Sequence, residues 1–183
     1  MVQLLTHVKS YPAKKLSIQP RNTDGFNLRR HRQRKLTTSI GIWNIQGLRN
    51  KQQEILSELI RLNIDIAILS ETKKKGNGNE KCKNYIHFYS GVEKSERARA
   101  GVSIMINRRL SRFVKSWDPI DERISKLTIN WKGRIINIIA VYAPNEDAPV
   151  TIKDKFENTL RKVLEKIHKS HEIVMGGEIL MVG

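Results

Sequence analysis

An α/β fold with mixed sheets is what this sequence predicts, and three observations predict it. A strand-like run, an amphipathic helix and a second strand-like run follow one another within residues 38–69, the order that a parallel pair with a right-handed helical crossover requires. Residues 124–131 and 134–142 are two apolar-rich runs joined around Lys132-Gly133, which is how an antiparallel hairpin reads. Ile135, Ile136, Ile138, Ile139, Ala140 and Val141 form a nearly unbroken apolar run, as suits a central strand covered on both faces.

The elements follow in order. Residues 1–37 show no sustained period, contain Pro12, Pro20 and Gly25, and end in a basic cluster at 29–35; they are expected to be a disordered basic arm. The ordered domain is expected to span 38–183. It opens with a strand at 38–45, then a helix at 50–62 whose Ile55, Leu56, Leu59, Ile60 and Leu62 trace one face, with Asn50 and Gln53 spaced as a capping box. A strand at 64–69 follows, so Asn44 and Glu71 are expected at the same edge of the sheet. Residues 73–79 read as a polar loop, and 85–89 and 102–106 as strands. After the hairpin, 151–169 carries Phe156, Leu160, Val163, Leu164 and Ile167 at helical spacing, and 173–175 begins one more strand.

Charge is the strongest compositional signal. The chain carries 34 Lys and Arg against 18 Asp and Glu, a net of +16, which points to polyanionic partners. Half of that excess falls within residues 1–38, where nine basic side chains meet one acid, Asp24. A single cysteine, Cys82, excludes an internal disulfide; no cysteine-based zinc cluster and no disulfide-linked partner are expected. No run approaches the roughly eighteen apolar residues of a membrane span, and the N-terminus lacks a signal-peptide core. The expectation is a nuclear protein, or otherwise a cytoplasmic one, with no membrane partner.

Three strand ends carry the candidate chemistry: Asn44 in Trp43-Asn44-Ile45-Gln46-Gly47-Leu48, Glu71 in Leu69-Ser70-Glu71-Thr72-Lys73, and Tyr142 in Val141-Tyr142-Ala143-Pro144-Asn145. Phosphodiester hydrolysis needs phosphate charge neutralised, a water activated and a leaving oxygen stabilised. A carboxylate such as Glu71 suits a hard cation, Mg2+ or Mn2+. The Asn44 amide can orient phosphate or water without adding negative charge, and the Tyr142 phenol can donate to a phosphate oxygen. Lys73 stands beside Glu71 and offers a cation to a nucleic-acid backbone. Taken singly, each has a plainer role: Asn44 as a turn former, Glu71 as a solvated strand terminator, Tyr142 as an edge aromatic.

Together and in order, these segments resemble motifs of the endonuclease/exonuclease/phosphatase superfamily. The likeness is to its retrotransposon-type, LINE-like and apurinic-endonuclease-like domains and to craniofacial-development-protein-like relatives. It covers roughly residues 38–176 and includes Arg99-Ala100-Gly101-Val102 and Asp121-Glu122-Arg123-Ile124. The resemblance implies a four-layer α/β sandwich and a divalent metal held chiefly by Glu71 with help from Asn44. It also implies Tyr142 on the scissile phosphate, Arg123 near the nucleic-acid backbone and Asn145 at the pocket rim. DNA is the implied partner, with RNA as an alternative.

The sequence departs from that pattern at its end. Relatives continue the last strand into Gly-Asp-Phe-Asn, whereas Gly177 and Ile179 occupy the places of the Asp and Asn. The later aspartate and histidine motifs of the superfamily do not occur, and neither His168 nor His171 is expected to replace them. Glu178 is expected to face away, because a one-residue shift along a strand reverses the side chain. The expectation is therefore a partial sandwich, its C-terminal half missing, inactive through truncation and exposing the apolar face of the 135–141 strand. A nucleic-acid-binding relic without catalysis, and a phosphatase acting on small or lipid phosphate esters, are the other classes left open.

Overall fold

A computed structural model describes residues 38–178 and, before them, the backbone of two short strands. Those two strands, β1 (Val2–Thr6) and β2 (Leu16–Ile18), fall inside the expected arm and pair with β11 and β3. The basic cluster at 29–35 lies outside the described residues.

The elements that follow are β3 (Thr38–Asn44), α1 (Gln52–Arg61), β4 (Ile66–Ser70), β5 (Asn77–Cys82), β6 (Tyr85–Ser90) and β7 (Val102–Asn107). A 3-10 turn at Arg108–Phe113 leads to β8 (Val114–Pro119), β9 (Ile124–Trp131), β10 (Arg134–Tyr142), α2 (Val150–Glu165) and β11 (Glu172–Glu178). They form two mixed sheets, one in the order β1-β11-β10-β9-β8 and the other in the order β2-β3-β4-β7-β6-β5.

The alternation of apolar residues on the strands packs the sheets face to face. Ile40, Ile42, Ile66, Ile68, Ile104 and Ile106 from one sheet share a core with Leu127, Ile129, Ile136, Ile138 and Val174 from the other. Each such buried aliphatic side chain contributes on the order of 1.5–3 kcal/mol. On the outer faces, α1 lays Ile55, Leu56 and Leu59 against Leu69 and Met105, while α2 covers Ile139, Val141 and Met175 with Phe156 and Val163. The result is the four-layer α/β sandwich. The exposure expected for the 135–141 strand is corrected here: Ile136, Ile138, Ile139, Ala140 and Val141 are all buried, one set by the facing sheet and the other by α2.

Gly176 sets how closely the sheets approach at the centre, since a Cβ there would meet Ile42 Cδ1 at 2.5 Å.

Local departures from expectation have local causes. Asn50 has a φ of 64° and makes no cap; α1 begins after Lys51 without a side-chain capping bond. Residues 77–82 form strand β5 instead of continuing the polar loop. As the outermost strand among the described residues it pairs with β6 alone there, and an edge position tolerates polar, solvent-facing residues. Helix α2 ends at Glu165, so His168 and His171 lie in the turn beyond it.

Candidate functional site

Parallel pairing brings the first two candidates together. Strands β3 and β4 run side by side with Asn44 opposite Ser70, so Asn44 and the residue after β4, Glu71, leave the sheet at one end. The chain beyond each strand stays zipped: Gly47 donates its backbone N–H to the Glu71 carbonyl at 2.7 Å, and Leu48 to that of Thr72 at 2.8 Å. Glu71 and Lys73 sit in the left-handed region, with φ of 54° and 53°, and the Thr72 and Lys73 amides donate to the Gly101 and Ala100 carbonyls. This backbone clamp holds the Glu71 side chain at the strand ends, where Lys73 Nζ pairs with Glu71 Oε1 at 3.1 Å.

The other sheet delivers Tyr142 to the same place. Its N–H donates to the Arg123 carbonyl at 2.9 Å, the Arg123 guanidinium donates back to the Tyr142 carbonyl at 3.1 Å and lies 5.4 Å from the phenol ring centre. Asp121 organises that corner by accepting the Arg123 and Ile124 amides, each at 2.8 Å. Burial pushes the Tyr142 phenol above its ordinary pKa, and the nearby Glu71 and Glu178 carboxylates add to the rise while Arg123 opposes it. The phenol is therefore a protonated donor at neutral pH. Asn145 lies exposed three residues on, in the turn before α2.

Glu178 is the residue that sequence reasoning dismissed. The Asn44 amide donates to Glu178 Oε2 at 2.7 Å, so this carboxylate faces the site. The alternation rule applies to extended residues, and Gly177 is not one: its φ is +132°, and a Cβ there would stand 1.8 Å from the Val141 carbonyl oxygen. No side chain can occupy position 177 in this backbone. The twist passes the role to its neighbour, whose pairing with Tyr142 across the β10–β11 ladder puts the two side chains on one face. The signal available in the sequence was the Gly176-Gly177 pair, a warning that the strand does not alternate there.

A shallow groove lined by Trp43, Ile45, Glu54, Ile55, Glu58 and Leu59 opens on the α1 side of β3. That is the face opposite to the one Asn44 uses, so the groove is not part of this constellation.

Two facing mixed sheets flanked by helices, with polar side chains converging from strand ends of both, form an α/β sandwich of the kind also found in AP endonucleases. No protein-family model matches the chain. It is similar to craniofacial development protein 2 of Tragulus javanicus, 28% identical over 127 residues, which cover 69% of this chain and 22% of that protein. The chain thus spans about a fifth of the length of the curated relative it matches. Among solved structures it superposes on an AP endonuclease from Archaeoglobus fulgidus with a TM-score of 0.53 at 19% identity, covering 70% of this chain and 52% of that one. It also superposes on the endonuclease domain of TRAS1, a telomere-specific non-LTR retrotransposon, with a TM-score of 0.55 at 15% identity, covering 74% and 57%. No described helix is long and apolar enough to cross a membrane.

Proposed function

We propose that this domain is a divalent-metal-dependent phosphodiesterase acting on DNA in the nucleus, an endonuclease of the non-LTR retrotransposon kind. The observation that carries the reading is the convergence of Asn44, Glu71, Tyr142 and Glu178 from the ends of strands in two different sheets. The donor set fits Mg2+ or Mn2+: it offers carboxylate and amide oxygens without sulfur or imidazole, and a cation, the Lys73 ammonium, already rests against Glu71. Glu71, assisted by Asn44, would hold the metal. When bound, the ion would neutralise phosphate charge and stabilise the leaving oxygen.

The chain's own residues supply the rest. Tyr142, held protonated, donates to a non-bridging phosphate oxygen. Glu178, oriented by the Asn44 amide, accepts the proton of an attacking water. Arg123 and Asn145 meet the strand's backbone at the rim, and Lys73, paired with Glu71, offers a further cation beside it. The net charge of +16 favours a polynucleotide over a small or lipid phosphate ester.

A second reading, a domain that binds nucleic acid without cutting it, is favoured by Gly177, which presents no side chain where the resemblance has an aspartate. Nicking of supercoiled plasmid in Mg2+, with Glu71→Ala beside the unchanged chain, decides between them. Nicking that disappears in Glu71→Ala supports hydrolysis. Salt-sensitive DNA retention with no nicking in either supports binding alone.

A further inference from the structure

We propose that the β5–β6 hairpin carries a zinc-type metal site formed by Glu80, Cys82 and His87, separate from the strand-end constellation. The three residues are set by the ladder. Glu80 is paired directly with His87 across the two strands, and Cys82 follows two residues after Glu80, so all three side chains stand on one face.

Their donor atoms already cluster. His87 Nδ1 lies 3.0 Å and Cys82 Sγ 3.7 Å from Glu80 Oε1, and the sulfur, nitrogen and oxygen donors are all within 4.8 Å of one another. Tetrahedral zinc, with bonds of about 2.3 Å to sulfur and about 2.0–2.2 Å to nitrogen and oxygen, places its donors roughly 3.3–3.7 Å apart. Closing the cluster takes side-chain adjustment of about an ångström. One thiolate, one imidazole and one carboxylate form a donor set for zinc or a similar transition metal, and a poor one for magnesium.

The surroundings are those of a cation site. His87 is fully buried, and its Nε2 has no hydrogen-bond partner among the described residues; its other nitrogen faces the cluster. Burial holds the ring neutral, its pKa pushed down to about 4; its one proton sits on Nδ1 against the Glu80 carboxylate, and binding of a metal at Nδ1 moves that proton to the unpartnered Nε2. The cluster's present cation is Lys74, whose Nζ is 3.0 Å from Glu80 Oε1 and 4.3 Å from the centre of the Tyr89 ring. A bound metal takes the ammonium's place and leaves it on the aromatic face. The Gln52 amide supplies the fourth corner: its Nε2 stands 2.9 Å from Cys82 Sγ and 3.1 Å from Glu80 Oε1, and turning the amide over puts its oxygen there. Binding releases the Cys82 thiol proton to solvent as the sulfur–metal bond forms.

Cobalt(II) is the probe. Added to the full chain in thiol-free, oxygen-free buffer, it is expected to give a thiolate-to-cobalt band in the near ultraviolet and the intense visible bands of tetrahedral coordination, at one equivalent and bleached by zinc. Cys82→Ser should abolish the near-ultraviolet band and weaken binding by more than roughly a hundredfold, beyond the usual cost of disturbing an outer partner. Lys74→Met, which removes the competing cation, should tighten binding by roughly tenfold or more. Glu71→Ala should leave the signal unchanged, which separates this site from the proposed hydrolytic one. Without any variant, one equivalent of zinc should slow alkylation of Cys82. Absence of the thiolate band, its survival in Cys82→Ser, an unchanged alkylation rate, or a Lys74→Met affinity equal to the parent's would overturn the proposal.

Discussion

The Asn44 amide and the Glu178 carboxylate, 134 residues apart in sequence, meet at 2.7 Å, one from the end of β3 and the other from the end of β11. The bond joins the two sheets at the edge where Glu71 and Tyr142 also emerge, and it aims the carboxylate. If Glu178 takes the proton of the attacking water, Glu178→Gln should lower the nicking rate by about two orders of magnitude or more while leaving DNA binding intact. Asn44→Ala should lower it as well, through lost orientation. Single-turnover cleavage beside filter binding separates the two effects.

Tyr142 offers a spectroscopic reading of the same constellation. Burial raises its phenol first, and Glu71 and Glu178 raise it further, against Arg123. In metal-free protein, Glu71→Gln should therefore shift the Tyr142 titration to lower pH and Arg123→Gln to higher pH. Difference absorbance of phenolate against a Tyr142→Phe reference resolves this tyrosine from the other three in the chain.

Acid should destabilise the fold through the hairpin. His87 is held neutral by burial with its pKa near 4 against an ordinary value of 6.5, so between those pH values the unfolded chain binds the proton that the folded chain refuses. Stability is fully present above about pH 6.5 and falls as the pH drops toward 4. The loss between pH 7 and pH 5 from this group is about 2 kcal/mol. Glu80 acts in the same direction: burial raises its carboxyl, but the bonds from Lys74 and His87 outweigh it and hold the pKa at about 2. Urea unfolding at the two pH values in EDTA, with His87→Gln as the comparison, checks this; a pH dependence equally steep in His87→Gln would exclude His87 as its source.

Gly177 should be intolerant of any side chain. With φ at +132° and the Val141 carbonyl 1.8 Å from where a Cβ would lie, Gly177→Ala should destabilise by about 1–3 kcal/mol and displace Glu178 from Asn44. Thermal unfolding gives the first effect, and the nicking rate gives the second.

Much of the fold was legible because burial has a period. The apolar runs at 38–45, 64–69 and 134–142 and the helical face through Leu56 and Leu59 are dictated by which side meets the core, and each lies within a residue or two of where it was placed. What escaped was structure not written in hydrophobicity. Strand β5 is nearly all polar, and residues 108–119 carry no clear period, so neither the 3-10 turn nor β8 could be read from them. At the candidate site, Asn44, Glu71 and Tyr142 were legible as polar residues ending apolar strands, and their roles there are the ones proposed above. Glu178 was missed because its direction is set by one glycine dihedral, which a two-residue alternation rule does not contain. The Glu80–Cys82–His87 cluster was hidden for a related reason: it needs β5 to exist before its side chains can share a face.

Asn44 and Glu71 hang from one sheet, Tyr142 and Glu178 from the other. The constellation therefore belongs to neither half alone and comes into being only when the two slabs dock. Solvent conditions that loosen the interface while sparing strands and helices should silence the chemistry with backbone dichroism nearly intact. Catalysis here would be a gauge of tertiary assembly, finer than any measure of secondary structure content.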